Sequence, residues 1–265
     1  MTDRNILLKI RYDGAGYSGW QRQPEGKGKS VQHVLERALA NVLSEPVSLN
    51  GAGRTDSGVH ALAQYANFHT ERPVPCDKLV FALNNILPQD VSIAEAQEVD
   101  SFFHARFSPH VKTYRYTVAL EETSVFCRRY VWEYKKPLDI ERMRAAAAYI
   151  LGEHDFGNFS VNGSPVNHTV RNISAINIFE TEQGRGTFPW LDMPRTLSIE
   201  VSSNSFLYKM VRIIAARLVD CGSGECEPAY MRELLSAVNP KPIPPAPAQG
   251  LMLMDISYKD LDNSK

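Results

Sequence analysis

Two rhythms of apolar residues run through the first third of the chain. In NILLKIRY, residues 5–12, an apolar run turns to alternation, the period of a strand. From Ser30 onward Val31, Val34, Leu35, Ala38, Leu39, Val42 and Leu43 return every three or four positions. That spacing predicts an amphipathic helix over 31–44 with Ser30 as its N-cap. VSLNG and LAQYANFHT read as strands on either side of a glycine-rich stretch, GAGRTDSGVHA at 51–61. Cys76–Ile86 reads as a second helix, stopped by Asn84, Asn85 and Pro88, and VSIAEAQEV as a further strand.

The later pattern has the same rhythm. A strand over 111–119 sends Lys112, Tyr114 and Tyr116 to one face and Thr113 and Arg115 to the other. A short strand near 130–134 is followed by a helix over 140–151 capped by Asp139, and VRNISAINIFETE and RTLSIEVSSN read as strands. The connection at 183–194 reads as a surface hairpin insertion. FLYKMVRIIAARLVD, residues 206–220, predicts the most apolar helix, closed by Gly222, and MRELLSAV a further one. KPIPPAPAQG is a Pro-rich turn or linker before a last strand, LMLMDISY. Alternating strands and helices of this kind predict an α+β protein of two similar lobes, residues 1–104 and 105–265.

Composition narrows the class without naming a partner. The 265 residues are 43% hydrophobic and 22% charged, ordinary for a folded globular chain, and the net charge of -1 gives no global attraction to a polyanion. Any nucleic-acid surface must come from local clusters: Arg22, Lys27 and Lys29 beside Tyr17 and Trp20, then Arg128 and Arg129, then Lys135 and Lys136. Each run alone also suits a solvated face. The N-terminus runs into a strand pattern with no leader, and no apolar run approaches the roughly 18 residues of a membrane span, so a cytoplasmic protein with no membrane partner is expected.

Asp56 is the first candidate for chemistry. Gly51, Gly53 and Gly58 around it can take positive φ and leave space beside the backbone, as a loop pressed against a ligand requires. An Asx-turn, in which the carboxylate bonds its own backbone, is equally compatible with the spacing. Arg54, two residues earlier, and arginines of the second lobe could hold a carboxylate ionised and aimed. Tyr114 reads from its strand as either a sheet aromatic or a site residue, and Tyr116 as structural. Arg212 sits as a charge in an apolar helix, either snorkelling at its edge or paired. Cys76, Cys127, Cys221 and Cys226 have no CxxC spacing, and His60, His69, His104 and His110 suit loop or core roles, so no metal is expected.

The motifs GRTDSGVHA, FHARFSPHVKTYRY and FLYKMVR, in this order, resemble the tRNA pseudouridine synthase A family. The frame around them does so too: YDGAGYSGWQRQP, SVQHVLERAL, NNILPQDVSI, GEHDFGNFS and PAPAQGLMLMDISY. The resemblance covers nearly the whole chain. It implies the pseudouridine synthase fold: two similar lobes with joined, mostly antiparallel sheets, helices on one face and an active-site cleft between the lobes. The implied activity is isomerisation of uridine to pseudouridine in the tRNA anticodon stem-loop, at tRNA nucleotides 38, 39 and 40. No cofactor or metal is implied, tRNA is the implied substrate, and family members are homodimers.

Residue by residue, the resemblance makes Asp56 the catalytic carboxylate and assigns Tyr114, Arg54 and Arg212 to substrate binding. Tyr114 would stack on the uracil, Arg212 would pair with the catalytic Asp, and Arg54 would take the place of the flipped uridine in the stem. Three routes are open to the carboxylate: attack on C1′, addition to the base, or removal of the 2′ proton to give a glycal. Glycosidases use two carboxylates because they must also bring in water. Here water must be kept out, and a single Asp suffices. Two small departures from the family pattern are Ser57, where Ala is usual, and Ala215 with Ala216, where Gly is common; the 183–194 insertion is less typical.

Overall fold

The structure, a computed structural model, describes residues 3–24, 28–161, 168–182, 194–238 and 240–262. The chain divides into two compact units, Met1–His110 with Met252–Lys265, and Val111–Leu251. Each unit is α+β with a mostly antiparallel sheet, the class that the strand and helix rhythms predict.

In the first unit the chain runs through β1 (Arg4–Tyr12), α1 (Val31–Leu43), β2 (Asn50–Gly51), β3 (His60–Thr70), α2 (Cys76–Ile86) and β4 (Val91–Val99). β1 pairs antiparallel with β3 on one side and with β4 on the other, and β2 pairs with β3. Both faces of β1 are covered, which explains its unbroken Ile6, Leu7 and Leu8. Ser30 caps α1 by accepting from the His33 N–H, and Leu35, Ala38 and Leu39 lie on its buried stripe. Asn84 at the end of α2 receives the Ile93 N–H on Oδ1 and returns a bond from Nδ2 to the Ile93 carbonyl, tying α2 to β4.

In the second unit follow β5 (His110–Ala119), β6 (Trp132–Glu133), α3 (Ile140–Ala148), β7 (Gly152–Asp155), β8 (Val170–Thr181), β9 (Thr196–Ser203), α4 (Met210–Gly222) and α5 (Tyr230–Ser236). The sheet runs β5, β9, β8, β7, antiparallel throughout, with β6 parallel on β5 at Val118↔Trp132. α3 packs on α4, α5 and β8, and Asp139 caps it by accepting from the Arg142 N–H. Ile213, Ile214, Leu218 and Val219 of α4 are buried.

The chain ends with β10 (Leu251–Tyr258) and a last turn, α6 (Lys259–Asp262). β10 pairs parallel with β3, Met252 against His60 and Leu253 against Ala61, so a strand from the end of the chain lies beside the start of β3 in the first unit.

Three expectations are corrected. The helix expected over 206–220 starts at Met210, because Lys209 adopts a left-handed conformation, φ 61°, that leaves Tyr208 outside the helix. VSLNG forms a strand only at Asn50–Gly51. β7 was not foreseen. Most of the 183–194 insertion, residues 183–193, and Lys27 of the first basic loop lie outside the described residues.

Candidate active site

The stretch 51–61 runs from β2 into β3. Its backbone is tethered at nearly every step. Ala52 N–H donates to the Tyr65 carbonyl at 2.8 Å, Gln64 Nε2 to the Gly53 carbonyl at 2.9 Å and Trp20 N–H to the Thr55 carbonyl at 3.1 Å. The Thr55 hydroxyl meets that of Tyr12 at 2.7 Å, the Ser57 hydroxyl donates to the Tyr17 carbonyl at 3.0 Å, and Val59 N–H donates back to the Asp56 carbonyl at 3.2 Å. Asp56 is half-buried, between buried Thr55 and exposed Ser57. Ser57, a departure from the family pattern, thus brings a bond that Ala could not make.

The glycines that allow this close approach come from both loops. A Cβ on Gly14 would lie 2.0 Å from the Val59 carbonyl oxygen, and one on Gly19, at φ 101°, 2.6 Å from that of Thr55. The loop after β1 therefore lies flat on the Asp56 loop, backbone on backbone. The reading of Gly51, Gly53 and Gly58 as three positive-φ residues leaving room for a ligand is corrected. Of these three only Gly58 has positive φ, at 79°, and the space beside Gly51 holds the Trp20 indole, whose Nε1 would be 2.4 Å from a Cβ there.

Trp20 and Tyr17 are themselves buried, at 2% and 3% exposure, so the expected pairing of flat rings and cations for RNA in this loop is also corrected. Trp20 lies beside Tyr12, and the Tyr17 hydroxyl donates to Asp90 Oδ1 at 2.6 Å. Burial first, and hydrogen bonding and charge from Asp90 after it, push the Tyr17 phenol up.

Arg54 is exposed, and its Nε donates to Gln21 Oε1 at 2.9 Å. Gln21, in the loop after β1, and Gln64, on β3, are partners of this stretch that the sequence reading missed. The loop cations are partly engaged: Lys29 lies over the Tyr17 ring, Lys136 pairs with Glu225 at 2.6 Å, and Arg128 Nη2 reaches the Thr123 carbonyl.

In the second unit, Tyr114 stands on β5 opposite Val201 of β9 and is buried, its ring edge-on to Phe206 at 5.3 Å between centroids. Lys112, Tyr114 and Tyr116 share the buried face, as the alternation predicts. Tyr116 is structural in its contacts: its hydroxyl donates to the Pro247 carbonyl at 2.8 Å, and its ring fills the space a Cβ on Gly250 would need. Arg212, in the first turn of α4, donates from Nε to the Ala246 carbonyl at 2.7 Å, while its own carbonyl accepts from Ala246 N–H at 3.1 Å. Tyr116 and Arg212 thus hold adjacent residues of the Pro-rich segment. Burial raises the Tyr116 phenol well above its ordinary value, with the Arg212 charge opposing.

The histidines have local partners. His60 Nδ1 accepts from Gly14 N–H at 3.1 Å and lies 3.0 Å from Asp13 Oδ1; His69 pairs with Asp3, and His104 Nδ1 accepts from Arg106 N–H. Cys221 and Cys226 approach to 3.0 Å between sulfurs. Among the described residues no three His, Cys, Asp or Glu side chains group to hold a metal ion.

Asp56 thus sits on a tethered loop of the first unit, and Tyr114 and Arg212 stand on β5 and α4 of the second. Residues 9–108 and 146–259 match the family described as tRNA pseudouridine synthase, and the chain belongs to that family. Curated relatives similar to it over nearly their whole length are named tRNA pseudouridine synthase A or A 2. It is 38% identical over 257 residues to tRNA pseudouridine synthase A of Thermoanaerobacter sp. (strain X514), across 96% of this chain and 100% of that protein. Against tRNA pseudouridine synthase A of Moorella thermoacetica it is 40% identical over 255 residues, 96% and 99% of the two chains. With tRNA pseudouridine synthase A 2 of Clostridium perfringens the figures are 41% over 260 residues, 96% and 100%. The chain is an isomerase of this family, and no helix among its described residues is long and apolar enough to cross a membrane.

Proposed function

We propose that this protein converts uridine to pseudouridine in the anticodon stem-loop of tRNA, with Asp56 as its catalytic residue. In this reaction the N1–C1′ bond breaks, the uracil turns, and C5 bonds to C1′; the proton lost from C5 is balanced by one gained at N1. A carboxylate can act by attack on C1′, by adding to the base or by taking the 2′ proton, and each route needs it ionised and fixed near the sugar.

The observation that supports Asp56 most strongly is the tethering of its loop. Trp20, Gln64 and Tyr65 bond the backbone between Ala52 and Thr55, and Tyr12 and Tyr17 bond the side-chain hydroxyls of Thr55 and Ser57. Holding a reacting group within a fraction of an ångström is worth several orders of magnitude in rate, which justifies such an investment of contacts around one acid. Tyr114 is assigned to the uracil, Arg212 to substrate binding, and Arg54 to the stem position from which the nucleotide leaves. Extrusion of a base costs a few kcal/mol, and a guanidinium that stacks and bonds phosphate offsets part of it. On this reading the enzyme works in the cytoplasm as a homodimer.

Replacing Asp56 by Asn is the test. Tritium release from C5 of labelled tRNA should fall by about 10³-fold or more while tRNA binding persists. Turnover retained in this variant would assign the loop to RNA binding alone.

A further inference from the structure

Arg54 is the free end of a chain of side-chain amides. Its Nε donates to Gln21 Oε1 at 2.9 Å, and Gln21 Nε2 donates to Gln32 Oε1 at 3.1 Å. Gln32 Nε2 in turn donates to Glu36 Oε1 at 3.0 Å and to the Leu49 carbonyl at 3.1 Å. Gln32 and Glu36 are one turn apart on α1, each 9% exposed. Both are polar groups on the face that otherwise buries Leu35 and Leu39.

The direction of this chain is fixed from its buried end. Glu36 Oε1 accepts from Leu49 N–H at 3.1 Å as well as from Gln32, so it acts there as an acceptor. Gln32 must then turn its NH₂ toward Glu36 and Leu49 and its oxygen outward. That oxygen is held a second time by Arg22 N–H at 3.1 Å. Flipping the Gln32 amide would set donor against donor and lose these bonds. Gln21, meeting an oxygen, must present its own NH₂ inward and its oxygen to Arg54.

A carboxylate in place of Gln21 would also orient Arg54, but it would neutralise it. A neutral amide holds Nε, leaves the guanidinium charge uncompensated and leaves the two Nη groups to donate elsewhere. That combination suits a guanidinium meant for RNA phosphate, where orientation and uncompensated charge are both needed.

We propose that Gln21 and Gln32 are positioning residues that aim Arg54 at the RNA backbone. The proposal rests on the function assigned to Arg54 above. It explains why two polar side chains occupy the buried stripe of α1 and why the loop after β1 folds back on the Asp56 loop.

The test is a double-mutant cycle read by tRNA binding across a salt series and, separately, by single-turnover conversion. Gln21→Ala should weaken binding about three- to tenfold, the worth of one hydrogen bond, with thermal stability unchanged. Arg54→Ala should weaken it at least as much and lower the slope of log K against log salt by about 0.7 to 0.9. Gln21→Ala added to Arg54→Ala should cost nothing further. Gln21→Glu should lower the salt slope as Arg54→Ala does, because it keeps the acceptor and cancels the charge. Additive losses, or wild-type binding in Gln21→Ala, would overturn the positioning role. A protein that binds tRNA but converts no uridine would instead overturn the function, leaving the binding cycle to decide the relay.

Discussion

Gly51 and Trp20 divide one volume between them: a methyl group on Gly51 would sit 2.4 Å from the indole Nε1 and 2.8 Å from Cζ2. The glycine that opens the Asp56 loop is therefore packed against a buried tryptophan of the preceding loop. Gly51→Ala must displace either the indole or the strand, and overpacking of this kind costs about 1–3 kcal/mol. Urea unfolding should show that loss. Conversion should fall further than stability explains, by up to about 10²-fold, because a shift near 1 Å in the loop moves Asp56. Unfolding and turnover both at wild-type values would show that Trp20 yields without effect.

Arg212 binds Ala246 twice, through its side chain and through its backbone. Lysine keeps the charge but has a single terminal nitrogen and no Nε–H, so it cannot clip the Ala246 carbonyl and present a second nitrogen. For Arg212→Lys we expect kcat to drop by about 10- to 100-fold, the worth of a charged hydrogen bond, with tRNA affinity within about threefold of wild type. Equal losses in kcat and affinity would mark Arg212 as a plain binding residue.

Buried phenols set an alkaline limit on stability, and Tyr12, Tyr116 and Tyr258 join Tyr17 in this. Burial raises Tyr12, Tyr116 and Tyr258 above the unfolded value of 10.0, and each hydroxyl meets a partner in the fold: Thr55, the Pro247 carbonyl and the Ala105 carbonyl. Below pH 10 both folded and unfolded chains keep these protons, and these groups give no pH dependence. Above it the unfolded chain loses protons that the folded one retains, so stability falls as pH rises, by about 1.4 kcal/mol per pH unit for each group. A denaturation series from pH 8 upward should be flat in this contribution until about pH 10 and then fall, with the tyrosinate absorbance of these buried phenols, beyond that of the exposed tyrosines, appearing only as the protein unfolds. Tyrosinate absorbance from all three in the folded state would contradict it.

Much of the fold was legible because it is local. The bounds of α2, β4 and β10 follow from apolar periodicity and nearby Asn and Pro residues. Ser30 and Asp139 announced their helices by capping chemistry that acts over three residues. What was illegible is long-range. Nothing near Gly14 or Gly19 in sequence indicates that their missing Cβ atoms face carbonyls at Val59 and Thr55. Trp20 and Tyr17 look like surface aromatics among cations until that loop folds over. The α4 boundary moved because one residue, Lys209, takes a backbone conformation that periodicity cannot sense. The motifs that carry Asp56, Tyr114 and Arg212 were legible as those of the family to which the chain belongs. The amides that support them were not, although Gln32 and Glu36 on an apolar stripe were a signal that could have found them.

The parallel pairing of β10 with β3 also has a consequence for how the molecule is made. His60, which follows the Asp56 loop, and Ala61 have as strand neighbours Met252 and Leu253, added to the growing chain some 190 residues later. The first unit therefore cannot close its sheet while it is being translated. A nascent chain stalled before residue 252 would expose the open edge of β3 beside the Asp56 loop, offering chaperones a binding edge and proteases a cleavage site. The order of synthesis leaves this edge of β3 without its neighbour until residues 252 and 253 have been made.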